Sequence, residues 1–203
     1  MKDFKTDKSK ETFHRVFEAA LRLFAEKGYE KTTMRAISRE GSLGLGALYY
    51  YFPSKEAIVL HFYEQLNEQL ITEWPGLRPK SPELRDQLEA FLRFKLDKLE
   101  PHRHLIRVLL KEAVDPESAL NPFSAQARDS LDKSLSIFEG MVTGKDSRRT
   151  AKALWLAHLA IIGLWVHRPE VSSKVVAAFA DLAPLLSHAF ASGALGEMLD
   201  ELP

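Results

Sequence analysis

Residues 28–56 read GYEKTTMRAISREGSLGLGALYYYFPSKE. A short helical pattern, Thr33 to Glu40, leads into a Gly/Ser turn, Gly41 to Gly44, and then into a second short segment. That segment sets Tyr49, Tyr50, Tyr51 and Phe52 just before Pro53-Ser54-Lys55. Two short helices joined by a three- or four-residue turn form the geometry that lays its second helix in the major groove of DNA. Neighbouring side chains on a helix diverge by about 100°, so the three tyrosines cannot all be core. At least one phenol faces outward, where it donates to a phosphate or touches a base edge.

Working outward, Phe13, Val16, Phe17, Ala20, Leu21 and Phe24 recur at helical spacing upstream, with Glu11/Arg15 and Glu18/Arg22 as ion pairs on the other face. Asp7 or Ser9 caps this helix and Gly28 ends it. Downstream, Ser54 caps a fourth helix running to about Trp74, with Ile58, Phe62, Leu66 and Leu70 on one stripe. Pro75 to Pro82 is a break. Ser81-Pro82 then opens a helix bearing Leu84, Leu88, Phe91, Leu92, Leu96 and Leu99. A short apolar helix spans Leu105 to Ala113, and Asn121-Pro122 opens another with Ala127, Leu131, Leu135 and Phe138 inward. Two long apolar helices, about 147–167 and 171–192, close the chain. No strand pattern or internal repeat emerges, so the expected fold is all-α: a three-helix helix-turn-helix head, residues 1–54, on a larger helical body, residues 55–203. The boundary between them lies within the fourth helix and not in a loop, making that helix a rod common to head and body.

The string Gly46, Leu48, Tyr49, Tyr51, Phe52, Ser54, Lys55, Glu56 closely resembles the DNA-binding signature of TetR-type (TetR/AcrR) transcriptional repressors, with every specified position filled. The resemblance implies backbone contacts from Tyr49 and Tyr51, with Tyr50 nearest the bases. It also implies a phosphate contact from Lys55, which as a cation in a helix's first turn opposes the macrodipole unless an anion answers it. Leu45 and Ala47 take the other groove-facing places, where contact with thymine methyl groups is the direct readout open to them. Gly46 costs about 1 kcal/mol against alanine inside a helix; close approach to the DNA backbone or internal packing accounts for it. Gly44 is the expected N-cap of the recognition helix. Thr32, Thr33 and Arg35 are further phosphate candidates, the threonines alternatively serving as caps only. The turn departs from the family's Ala-Gly-Val-Ser, holding Gly41, Ser42, Leu43 and Gly44, and a usually polar place is Leu45.

Bulk composition agrees with this reading. The 28 basic and 28 acidic side chains cancel, yet residues 1–60 hold 11 Lys and Arg against 8 Asp and Glu, a surplus of three at the DNA-reading end. The absence of cysteine excludes disulfides, thiolate nucleophiles and Cys-based zinc sites. The charged amino terminus is no secretory signal. The run Leu154 to Val166, broken by His158, is shorter than the roughly 20 residues of a membrane span. A cytoplasmic protein with no membrane partner is expected.

Apparent catalytic signals fail on inspection. Gly140 to Asp146 is one residue short of a Gly-x-x-x-x-Gly-Lys-Ser/Thr loop and follows a helix. Gly44-Leu45-Gly46 lacks the third glycine of a dinucleotide fingerprint. His102 and His104 face different ways on a helix and make a poor metal pair. No acid/base or nucleophile set emerges, so neither an enzyme nor a cofactor or metal is expected.

The last two helices carry surplus apolar surface, which points to a homodimer; TetR-type proteins pair their last two helices in this way. Twofold symmetry then matches a palindromic double-stranded DNA operator. The remaining body helices enclose a cavity for a small apolar or amphipathic effector that releases the DNA, with Phe91, Phe94, Leu105, Leu109, Phe138, Trp155, His158 and Trp165 as lining candidates. His158, alone among apolar neighbours, needs a hydrogen-bond partner from another side chain or from a ligand. A helical DNA-binding protein without an effector is the alternative, and an all-α enzyme a more distant one.

Overall fold

The computed structural model describes residues 6–143 and 147–191. They form helices throughout, with no strand among the described residues: α1 (Asp7–Lys27), α2 (Met34–Glu40), α3 (Leu45–Tyr51), α4 (Lys55–Leu77), α5 (Leu84–Leu99), α6 (Arg103–Val114), α7 (Arg128–Glu139), α8 (Ser147–His167) and α9 (Ser172–Ala191). Short 3-10 turns precede α6, α7 and α9.

Helix ends follow local chemistry, sometimes by other residues than the sequence pattern implies. Thr6, and not Asp7 or Ser9, caps α1 by accepting from the Ser9 amide at 3.2 Å. Gly28 ends the helix at φ 88, a left-handed value that suits glycine. The expected i,i+4 pairings on α1 give way to longer reach: Arg15 Nε donates to the Gly41 carbonyl at 3.1 Å, and Arg22 pairs with Glu40 at 3.5 Å. Ser54 caps α4 as expected. That helix runs past Trp74 through Pro75, because a proline in the final turn cancels one hydrogen bond without ending the helix. Helix α5 starts at Leu84, not at Ser81-Pro82, whose serine hydroxyl instead accepts from the Glu83 amide. Asn121-Pro122 lies in a turn, where Asn121 accepts from the Phe123 amide at 2.9 Å and α7 begins only at Arg128.

Two apolar cores result. The first gathers Phe13, Phe17, Phe24, Ile37, Leu48, Phe52, Ile58 and Phe62 from α1–α4, and extends to Leu105 and Leu109 of α6. The second gathers Leu70, Trp74, Leu88, Phe91, Phe138, Leu154, Trp165 and Val176 from α4, α5, α7, α8 and α9. Helix α4 supplies both, and Leu66 on it packs against each. Helix α9 lies along α5 and α8. Leu164 on α8 and Leu182 and Leu185 on α9 remain 37%, 52% and 70% exposed. The side chains of Leu186 and Phe190 on α9 lie outside the described residues, as do residues 144–146.

Candidate nucleic-acid interface and body cavity

The helix-turn-helix is held by polar side chains spent on backbone. Thr33 caps α2 by accepting from the Ala36 amide at 3.2 Å. Ser38 Oγ donates to the Leu43 carbonyl at 2.5 Å, and the Leu43 amide returns to the Ser38 carbonyl. The unusual turn has a physical reason. A Cβ on Gly41 would stand 2.9 Å from Val16 Cγ2, so α1 lies too close for any side chain there. Ser42, the next residue, takes φ 49, the left-handed conformation at the place where the family carries glycine. The glycine therefore serves close packing and the serine absorbs the strained backbone.

On α3, Leu48 and Phe52 are buried, while Tyr49 and Tyr50 stand 48% and 61% exposed. Gly44, Gly46 and Ala47 are exposed and Leu45 is half-buried. A Cβ at Gly44 or Gly46 would meet nothing within 4 Å, so internal packing does not require glycine at either place. Tyr51 is half-buried, its hydroxyl 3.1 Å from Ser9 Oγ and its ring against Phe13. Thr33 and Arg35 are exposed at the start of α2. Thr32 departs from expectation. It is 1% exposed and donates to the Leu23 and Gly28 carbonyls, so its hydroxyl ties the α1–α2 connection and presents nothing to a phosphate. Lys55 also has an internal partner: its ammonium donates to the Tyr29 carbonyl at 3.0 Å and sits 4.2 Å over the Tyr29 ring. The Tyr29 hydroxyl donates to Glu56 at 2.6 Å, and burial together with that carboxylate pushes its pKa up.

The body holds a cavity of about 170 Å³, partly open to solvent, between α4, α5, α6, α7 and α8. Of the eight expected lining residues, Trp155 and His158 face it. The other six do not. Leu105 and Leu109 turn into the first core, and it is Ile106 and Leu110, one position on along α6, that line the cavity. Phe91, Phe138 and Trp165 are packed into the second core; Phe94 stacks on Trp74 at 6.2 Å. The shift on α6 arises because the helix lies between α1 and α8: Leu105 and Leu109 pack into the first core, which leaves the adjoining face to the cavity.

The polar part of the cavity wall is unusual. Lys95, 7% exposed, places Nζ 3.0 Å from His158 Nε2. His158 Nδ1 meets the Trp155 carbonyl, so the neutral ring with its proton on Nδ1 leaves Nε2 to accept from lysine. Burial, then the lysine charge, holds the His158 pKa well below its usual value. Burial alone brings Lys95 down to about 8. Trp155 Nε1 donates to Ser134 Oγ at 3.0 Å, and Asn67 donates to Ser130. Lys95 was legible as an anomaly, a cation in register with Phe91, Leu92 and Leu99 on the apolar stripe of α5. Among the described residues no group of three His, Asp or Glu side chains is placed to hold a metal.

Comparison with known proteins agrees with this geometry. The profile described as "Bacterial regulatory proteins, tetR family" matches residues 16–62. A protein of Bacillus subtilis (strain 168), the uncharacterized HTH-type transcriptional regulator YuxN, is 33% identical over 101 residues, 50% of this chain and 35% of that protein. The chain thus spans about a third of that relative's length. Among solved structures, the fatty acid degradation regulator FadR from Bacillus halodurans superposes with a TM-score of 0.69 at 14% identity, covering 89% of this chain and 96% of that one. Thermus thermophilus FadR in complex with lauroyl-CoA gives 0.61 at 18% identity, over 85% and 93%.

Proposed function

Because the chain belongs to the tetR family of bacterial regulatory proteins, we propose that it is a dimeric, sequence-specific DNA-binding repressor released from its operator by a small apolar or amphipathic ligand, and not an enzyme. The observation that carries this reading is the double service of α4. Its first turns supply Ile58 and Phe62 to the head core; the next supply Tyr63, Leu66, Asn67 and Leu70 to the cavity wall. A ligand that displaces the cavity end of this helix moves the head end too, since a packed helix shifts as a unit. DNA selects one spacing of the two heads and ligand another, so the two binding events oppose each other equally, typically by about 1–3 kcal/mol.

The head is taken as residues 1–54 and the body as 55–203. Tyr50, Gly46, Ala47 and Leu45 form the groove-facing surface, with Tyr49, Tyr51, Lys55, Thr33, Arg35 and the Gly44 turn toward the phosphates. Lys55 reaches a phosphate by exchanging its Tyr29 carbonyl for it. Exposed Leu164, Leu182 and Leu185 on α8 and α9 support a homodimer interface, whose twofold axis suits a palindromic operator. Helix α8 has the length and composition of a membrane span, but half of that stretch is buried in the body. This favours a core helix in a cytoplasmic protein.

The test selects bound fragments from a random double-stranded DNA pool at fixed salt, then titrates the selected DNA complex with candidate amphiphiles. An inverted repeat bound by two chains, and a ligand that dissociates it, are expected. Uniform binding to all fragments overturns the sequence-specific reading.

A further inference from the structure

Resting on the ligand-released reading above, we infer that the cavity is built for an anion: a small carboxylic acid whose carboxylate pairs with the Lys95 ammonium and whose hydrocarbon lies against Leu99, Ile106, Leu110, Leu159 and Ile162.

The cavity wall carries an uncompensated charge. A buried ammonium is costly unless it is paired and hydrogen-bonded. Lys95 is buried on α5, and its hydrogen-bond partner is a neutral imidazole, His158, at 3.0 Å. An ammonium has three protons to donate, and His158 accepts one. Among the described residues no aspartate or glutamate lines the cavity. With a pKa of about 8, Lys95 is still mostly charged at neutral pH. Lys95 is thus a desolvated cation on the cavity wall, with no carboxylate among the described lining residues to meet it. An incoming carboxylate supplies the missing charge and accepts the spare protons in a mostly apolar surround, where such a bond is strong.

His158 sharpens the assignment. Its Nδ1 proton goes to the Trp155 carbonyl, and its Nε2 lone pair faces the lysine. The imidazole therefore accepts from Lys95 and orients the ammonium without neutralising it. His158 is a positioning residue.

Size narrows the ligand further. About 170 Å³ is close to the roughly 150 Å³ of an engineered apolar cavity that takes benzene. An aromatic ring or a short alkyl chain with one carboxylate fits that volume.

The experiment uses the full chain and calorimetric titration at pH 7 with benzoate, hexanoate and octanoate, each against its primary amide. At least one acid should bind tenfold or more tightly than its amide. Lys95→Gln, which keeps an N–H for His158 but no charge, should abolish that preference while the amide's weak binding persists. Lys95→Met is the second variant should the glutamine protein melt early. Equal binding of acid and amide, no binding of any acid, or a preference that survives both substitutions overturns the inference. Operator release is read separately. If acids bind through Lys95 but DNA stays bound, the anion site stands and the release mechanism falls. If only uncharged molecules bind and release DNA, the reverse holds.

Discussion

Head and body solve opposite problems with the same kind of helix. In the head, short helices are pinned by a dense aromatic cluster: Phe13 lies 4.7 Å from Phe52 and 5.0 Å from His61, and Phe17 lies 5.1 Å from His61. Its buried hydroxyls, Thr32 and Ser38, are spent on backbone carbonyls. The body instead keeps a void at its centre, with a lysine–histidine pair on the wall. Under the proposed function, the head reads DNA and gains from being rigid before it meets its target, whereas the body senses a ligand and gains from leaving room and charge unsatisfied until that ligand arrives. Close packing stabilises the first, and a tolerated defect makes the second.

The strongest test of this contrast is deletion in the tight core. Phe24→Ala, at a fully buried site in the head, should lower stability by about 3–5 kcal/mol in denaturant unfolding. A loss below about 1 kcal/mol would mean the head packs more loosely than its geometry indicates.

Overpacking should separate the two regions next. Gly41→Val, aimed at Val16 from 2.9 Å, should cost about 1–3 kcal/mol. Leu159→Phe, aimed into the cavity, should change stability by under about 1 kcal/mol and block the ligand. Equal costs would erase the distinction.

Within the head, Lys55→Ala should weaken binding to all DNA sequences alike and make the log–log salt slope shallower by about one per site. Tyr50→Ala, at the most exposed tyrosine of α3, should alter the ranking of operators in competition assays. A uniform loss from both substitutions would remove Tyr50 from the bases.

The gentlest effect is on pH dependence. Lys95 has a folded pKa near 8, below its unfolded value near 10.4, so the unfolded chain binds the extra proton between them. Stability contributed by this group therefore rises with pH from about 8 to 10, and Lys95→Met should flatten that rise in melting curves. His61 and His158 act at the other end. Burial holds both below their usual pKa, so stability falls as acid carries the pH down through about 6.5.

Short-range chemistry is legible in the sequence: the helical periodicities, the cap at Ser54, the glycine stop at Gly28, and a tyrosine of α3 turned outward, as Tyr49 and Tyr50 are. These depend on residues within a turn or two of one another. Tertiary structure decided whatever depends on which helix arrives next. A pattern of apolar residues marks a face, but not its neighbour, so Leu105 and Leu109 are placed by α1 while Ile106 and Leu110 are left to the cavity. Thr32 offers a hydroxyl in sequence and loses it to Leu23 and Gly28 once α1 folds over it. Lys95 and His158 lie 63 positions apart, and only the packing of α5 against the bundle brings them within 3.0 Å. A charge beside a void arises from several helices together, because no local pattern encodes the space that side chains fail to fill.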